Sequence, residues 1–347
     1  MRYMLGRAHT LDAFLAALCT GRTVFALQKS PAGYRLVNAA AWEAGRHVVG
    51  DFRPCEPLKS LVFRPREAFG ALLEDSKAPA MGKRIVIGAK NCDVSALQIH
   101  DFVFLQNEPA DPYYKEARDN TLLVSADCAN PCDVCFCTAV GEQPYPQKGF
   151  DINLSVLSQG CLIETGSAQG DAAVAAIPKM LGPASDTLVK ERDAQREAVT
   201  KRVADQATRK GLKSGMDFRK AVKATGENAL WEAFARDCVE CGACNFTCCT
   251  CHCFLLADGF DAQKKASRVR NWDACLYLNF ARVAGGANPR KHRAERLYNR
   301  FEKKFVFFPE VLKTYACDGC GRCAEACTGK IDIRDVLKKA VDAAESV

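Results

Sequence analysis

Cys238-Val239-Glu240-Cys241-Gly242-Ala243-Cys244-Asn245-Phe246-Thr247-Cys248 spaces four cysteines as C-x2-C-x2-C-x3-C, and the same spacing returns at Cys317, Cys320, Cys323 and Cys327. Few patterns constrain a chain more. Three thiols on one tight loop meet three corners of a cubane cluster, while the amides between them point at its sulfides. The fourth thiol lies further on, and in two-cluster proteins it serves the other cluster. The repeat predicts two [4Fe–4S] clusters with crossed ligands: Cys238, Cys241, Cys244 and Cys327 on one, Cys317, Cys320, Cys323 and Cys248 on the other. Gly242 and Gly321 each follow the second cysteine of a run, where a missing side chain permits positive φ and close approach to sulfide. Structural zinc is the alternative, since C-x2-C knuckles also make four-cysteine zinc centres, but two complete runs exceed the need of a zinc ribbon.

The chain holds 20 cysteines in 347 residues, grouped in runs and pairs, so disulfides or metal must explain most of them. Its beginning lacks the long apolar core of a secretory signal, which predicts a cytoplasmic protein. Crowded thiols in that reducing compartment are ligands rather than bridges. No apolar run approaches the roughly 20 residues that span a bilayer, so no direct membrane insertion is expected. The formal charge of +7 ignores the negative charge of thiolate-held clusters. Aromatic residues are too sparse among the basic runs to form a base-stacking surface, and no nucleic acid is expected. The basic stretch containing Arg290, Lys291, Arg293, Arg296, Arg300, Lys303 and Lys304 reads as a solvated helix face, with docking of an acidic partner as the alternative.

The pattern along the chain predicts an α/β N-terminal domain over residues 1–170, a helical connector over 171–236, and an all-α ferredoxin-like domain, the helical ferredoxin variety, over 237–347. Leu11 to Leu18 reads as helix and Thr23 to Leu27 as strand. Arg84 to Ala89 and Thr121 to Ala126 are short, nearly continuous apolar runs, as in strands covered on both faces. Ile152 to Leu157 and Cys161 to Thr165, separated by Ser158-Gln159-Gly160, predict a hairpin. In the connector, Lys190, Glu191, Arg192, Asp193, Arg196 and Glu197 read as an ordinary solvated helix face. Between the two runs lies an insert that includes Arg268-Val269-Arg270-Asn271-Trp272-Asp273-Ala274-Cys275 and basic helical stretches.

Further cysteines offer more sites. Cys128-Ala129-Asn130-Pro131-Cys132-Asp133-Val134-Cys135-Phe136-Cys137 concentrates four thiols, and Cys92 follows the strand before it. Adjacent parallel strands would bring the loops of Cys92 and Cys128 to one end of a sheet. A third centre, [4Fe–4S] or zinc, is expected from Cys92, Cys128, Cys132, Cys135 and Cys137. Cys249, Cys251, Cys253 and Cys275 are enough in number for another site. Cys19, Cys55 and Cys161 read as small buried hydrophobes. No His-Glu-x-x-His pairing and no Gly-rich phosphate loop in its required context appears, so neither metal hydrolysis nor a bound nucleotide or flavin is expected.

Glu56-Pro57-Leu58-Lys59-Ser60, Asn91-Cys92-Asp93, Asp111-Pro112-Tyr113-Tyr114, Cys135-Phe136-Cys137-Thr138, Gly149-Phe150-Asp151, Trp272-Asp273-Ala274-Cys275 and Asn288-Pro289-Arg290 together resemble the 4Fe–4S dicluster family. That family includes beta subunits of cytoplasmic sulfhydrogenases, a component of anaerobic sulfite reductase, and iron–sulfur subunits of flavin oxidoreductases that feed heterodisulfide reductase. The resemblance implies an electron-transfer subunit between a flavin subunit that handles NAD(P)H and a separate catalytic subunit, in a hetero-oligomeric anaerobic oxidoreductase complex. It also implies Cys92, Cys128, Cys135 and Cys137 as the set for the third centre, with Cys132 a spectator. The sequence departs from the family at Asn91 and Cys249, positions where relatives carry proline. The competing reading is an enzyme that itself reduces a disulfide or a sulfur oxyanion at its surplus cysteines.

Overall fold

Strands form where β-branched and aliphatic residues run without polar interruption, and the longest such runs lie at the centre of the main sheet. The computed structural model describes residues 1–346 apart from 7–8, 32, 50–51, 72–79, 159, 227–228 and 261–265; Gln159 of the expected hairpin turn lies outside the described residues. Its strands are β1 (Arg2–Leu5), β2 (Thr23–Ser30), β3 (Gly33–Ala39), β4 (His47–Val48), β5 (Arg66–Ala71), β6 (Arg84–Ala89), β7 (Thr121–Ala126), β8 (Ile152–Leu157), β9 (Gly160–Thr165), β10 (Leu181–Pro183), β11 (Phe254–Phe260) and β12 (Ala266–Trp272). Contacts divide the chain into two units, one of residues 1–62, 79–132 and 143–203, the other of 63–78, 133–142 and 204–347. Both are discontinuous, unlike the contiguous blocks 1–170, 171–236 and 237–347. Among the described residues no helix is long and apolar enough to cross a membrane.

The first unit is built on a nine-stranded sheet in the order β10-β1-β9-β8-β7-β6-β2-β3, with β4 also on β2. Its centre is parallel, β2 against β6, β6 against β7 and β7 against β8. Every residue of β6 and β7 is buried, as expected of strands covered on both faces. The hairpin pairs β8 with β9 antiparallel. Thr10 accepts a hydrogen bond from the Ala13 amide at the start of helix Leu11–Cys19, which packs Phe14, Leu15 and Leu18 with Ile85, Leu122 and Ile152 in one core. Cys19 and Cys161 are buried, but Cys55 is exposed.

Helix Asp186–Arg209 corrects the expectation of a plain solvated face. Arg192 Nη1 donates to Glu164 of β9 (2.7 Å), and Arg196 donates to Glu164 (3.0 Å) and to Asp127 just beyond β7 (2.8 Å). The intervals within the helix look solvated only while these carboxylates, distant in sequence, are left out.

The second unit buries Phe136, Leu212, Phe218, Trp231, Phe301, Phe305 and Leu337 in one core that also takes in Cys238, Cys275 and Cys317. Helices dominate it, yet it is not all-α: β11, β12 and β5 form a three-stranded antiparallel sheet. Arg268, Val269 and Arg270 of the insert lie in β12. Arg270 lies buried in it, paired with Glu67 and stacked near Phe63, Phe69 and Phe254. These partners come mostly from residues 63–69, so the local pattern of residues 266–272 could not show that a strand would win.

Helix Arg293–Glu302 corrects a second solvated face. Arg296, Arg300 and Lys304 are only 1%, 5% and 5% exposed. They stand at four-residue intervals beside Leu297, Phe301 and Phe305, which are also buried. Two stripes, one apolar and one cationic, thus face inward together.

Candidate metal centres

Both cysteine runs fold as a loop that ends in a short helix. In the first, Gly242 (φ 72°) precedes helix Ala243–Phe246; in the second, Gly321 (φ 71°) precedes helix Arg322–Glu325. The two glycines take the positive φ expected of them. Two positions earlier, just before the second cysteine of each run, both loops again take positive φ but differ in residue type: Gly319 has φ 63° and Glu240 has φ 58°. A non-glycine residue there is strained, and Glu240 is held by Arg293 Nε (3.0 Å) and Arg296 Nη2 (2.8 Å).

The loops interleave at Gly329. An added Cβ would stand 2.0 Å from the Asp237 carbonyl oxygen, so only glycine lets the end of the second run close on the start of the first. One cavity results, lined by Cys238, Cys241 and Cys244 together with Cys323 and Cys327, with Arg300 and Phe301 in its wall. Four of those thiols are the set expected for one crossed cluster. The Ile331 amide donates to Cys327 Sγ at 3.3 Å, the kind of amide-to-sulfur contact that a bound cluster's ligands use.

The other crossed set also gathers. Burial pushes the Cys317 thiol well up, with the charges of Cys323 and Cys248 acting in the same direction. Burial likewise pushes Cys323 up to about 11, against Arg300 and with Cys248 and Cys320. Cys248 goes the other way: hydrogen bonds from Cys249 and Cys251 hold it well below its usual value, helped by Lys304 and Arg300. Such thiolate-favouring surroundings suit metal ligation. Among the described residues, no three or more His, Cys, Asp or Glu are grouped to hold a single ion. Around one zinc, sulfurs bound at about 2.3 Å stand only about 3.8 Å apart, tighter than the corners of a cubane demand.

The surplus thiols divide. Cys249 donates to Asp318 Oδ2 (3.1 Å) and touches Cys320 Sγ (3.8 Å). Asn245 Nδ2 reaches Cys275 Sγ (3.1 Å) and Cys251 Sγ (3.9 Å). Burial raises the Cys253 thiol, with Cys275 nearby adding to it.

Of the five cysteines expected in a third centre, Cys92, Cys128 and Cys132 belong to the first unit and Cys135 and Cys137 to the second. In the first, β6 and β7 run parallel side by side, and Cys92 and Cys128 follow them. Cys92 stands in the first turn of helix Asn91–Leu105, and Lys90 Nζ donates to the Asp127 carbonyl (3.1 Å), tying the start of that helix to the segment of Cys128. In the second, the Phe136 amide donates to the Gly319 carbonyl (2.8 Å), and Cys135 Sγ lies 3.8 Å from the Cys320 carbonyl. A Cβ on Gly319 would stand 2.5 Å from the Cys137 amide, and one on Gly321 2.4 Å from the Val134 carbonyl. The Cys135-Phe136-Cys137 loop is therefore seated on the second run. The full burial of Phe136 in that core anchors it. What the sequence pattern did not reveal were cations: Arg300 Nη1 donates to Cys251 Sγ (3.4 Å) and Lys304 Nζ to Cys248 Sγ (3.3 Å). The signal was their four-residue spacing in register with buried aromatic residues.

The segment that carries both runs is similar to known proteins. Residues 237–331 match a family described as "4Fe-4S dicluster domain". Sulfhydrogenase 2 subunit beta of Pyrococcus furiosus is 31% identical over 283 residues, covering 81% of each chain. No solved structure matches. The chain belongs to the family of 4Fe–4S dicluster proteins that includes this sulfhydrogenase beta subunit, and it is an iron–sulfur protein of electron transfer.

Proposed function

We propose that this chain is the electron-relay subunit of a hydrogenase-type oxidoreductase complex, standing between a flavin subunit that handles NAD(P)H and a separate catalytic subunit. A [4Fe–4S] cluster, when bound, exchanges single electrons at a potential that its surroundings set. The chain's own residues hold two such groups in crossed fashion, Cys238, Cys241, Cys244 and Cys327 on one and Cys317, Cys320, Cys323 and Cys248 on the other. One observation carries the reading: Cys327 lines the same cavity as Cys238, Cys241 and Cys244. The beta-subunit relative supports the assignment to a multi-subunit complex. Cys249, at 1% exposed, is closed to a substrate, which weighs against reduction of a disulfide or sulfur oxyanion at that thiol.

Anaerobic iron and sulfide analysis, followed by electron paramagnetic resonance of single variants, tests this. Cys327→Ser should alter the same signal as Cys241→Ser, and Cys248→Ser the same signal as Cys320→Ser. If Cys248→Ser and Cys241→Ser alter one signal together, the crossing is wrong. Iron beyond about eight per chain is to be assigned with a Cys135→Ala, Cys137→Ala variant.

A further inference from the structure

Buried cations need a reason. Arg300 and Lys304 lie one helical turn apart on the inward face of helix Arg293–Glu302 and its continuation through Phe307. Their neighbour Arg296 is satisfied by Glu240 (2.8 Å) and by the carbonyls of Arg290 and Lys291. Arg300 and Lys304 differ from it. Among the described residues, Arg300 donates to the Cys244 carbonyl (3.1 Å) and Cys251 Sγ (3.4 Å). Lys304 donates to Thr250 Oγ1 (2.8 Å), the Ala316 carbonyl (2.8 Å) and Cys248 Sγ (3.3 Å). Carbonyls and a hydroxyl satisfy hydrogen bonds but leave net charge uncompensated, and an uncompensated buried charge is strongly destabilising. The negative charge at hand is thiolate.

Resting on the two-cluster reading above, we propose that Arg300 and Lys304 are the fixed counter-charges of the two centres, one for each. Arg300 lines the cavity of Cys238, Cys241, Cys244 and Cys327. Lys304 bonds a ligand of the other set, Cys248. Reduction adds an electron to a centre, and a nearby cation in a medium of low dielectric favours the more negative state. Each cation therefore raises the potential of its own centre. A single helix face sets both potentials and, through the difference between guanidinium and ammonium, their spacing.

A redox titration of the purified, fully loaded chain, followed by electron paramagnetic resonance, tests this. Lys304→Gln should lower the midpoint of the signal that Cys248→Ser perturbs, by at least a tenfold change in the oxidised-to-reduced ratio, or about 59 mV for one electron. Arg300→Gln should do the same to the other signal, and Lys304→Arg and Arg300→Lys should restore most of each shift. Unchanged midpoints at full iron and sulfide content would overturn the proposal, whereas absence of iron from the wild type would instead sink the cluster reading itself. Should the neutral variants fail to load, pulsed resonance of the reduced wild type grown on 15N-lysine decides. A lysine nitrogen coupled to one centre is expected, and coupling to peptide nitrogen alone overturns it.

Discussion

At the scale of single residues, Gly329 is fixed by a close approach of two backbones. Its missing side chain is what lets Cys327 approach the first run, because the Asp237 carbonyl occupies the space of a Cβ. Gly329→Ala must push the two segments apart, at an overpacking cost of about 1–3 kcal/mol. The expected outcome is loss of about four irons per chain, with the centre of Cys248, Cys317, Cys320 and Cys323 kept. Gly285→Ala, where a Cβ meets nothing within 4 Å, should keep the full count; equal iron in the two variants would refute the role of Gly329. The candidate ligands were legible in the sequence, since cubane geometry dictates such a spacing. Gly329 was not, because its constraint is a contact with Asp237 that no local pattern encodes. Glu240 was equally silent: nothing in Cys238-Val239-Glu240-Cys241 reveals a left-handed backbone stabilised by arginines more than 50 residues on.

Among elements, β6 and β7 and the β8–β9 hairpin were readable because each is specified by its own composition, a short apolar run between turn residues. Helices Asp186–Arg209 and Arg293–Glu302 were readable as helices and misread as faces. A charge on a helix looks solvated until its partner is known, and here the partners are Glu164, Asp127 and the run cysteines. The same limit concealed β12, whose buried Arg270 depends on Glu67, 203 residues earlier in the chain. The anchoring by Glu164 has a consequence for acid stability. Burial works to raise its pKa, but Arg196 and Arg192 outweigh burial and hold it below the usual carboxylate value. A depressed folded value adds stability that is complete above the unfolded value of about 4.3 and is lost as pH falls through the folded one. Glu164→Gln should therefore be less protected than wild type at pH 6, and the gap should close on acidification. Amide exchange of β9 at several pH values measures this, and a gap constant with pH would contradict it.

For the molecule as a whole, the two cores differ in what they contain. Among the described residues, that of the second unit takes in Cys238, Cys275 and Cys317, whereas that of the first takes in Cys19 and Cys161. Metal bound only by a folded site contributes its binding energy to folding. Chelating the iron from the full chain should therefore raise amide exchange in helix Phe218–Ala224 by a large factor and leave β7 nearly unchanged. Equal loosening in both segments would count against this division. The discontinuity of the units was beyond sequence reading, because residues 63–78 and 133–142 join the second unit through Phe63, Phe69 and Phe136, whose burial partners lie far along the chain. The close approach of Gly329 to Asp237 also bears on biosynthesis. On the crossed ligation proposed above, Cys238, Cys241 and Cys244 stand on the nascent chain without the thiol that completes their set while the ribosome is still making the residues up to 327. On that reading the first centre is completed only once the second run has left the exit tunnel, so the natural substrate of the assembly machinery is the finished pair of loops.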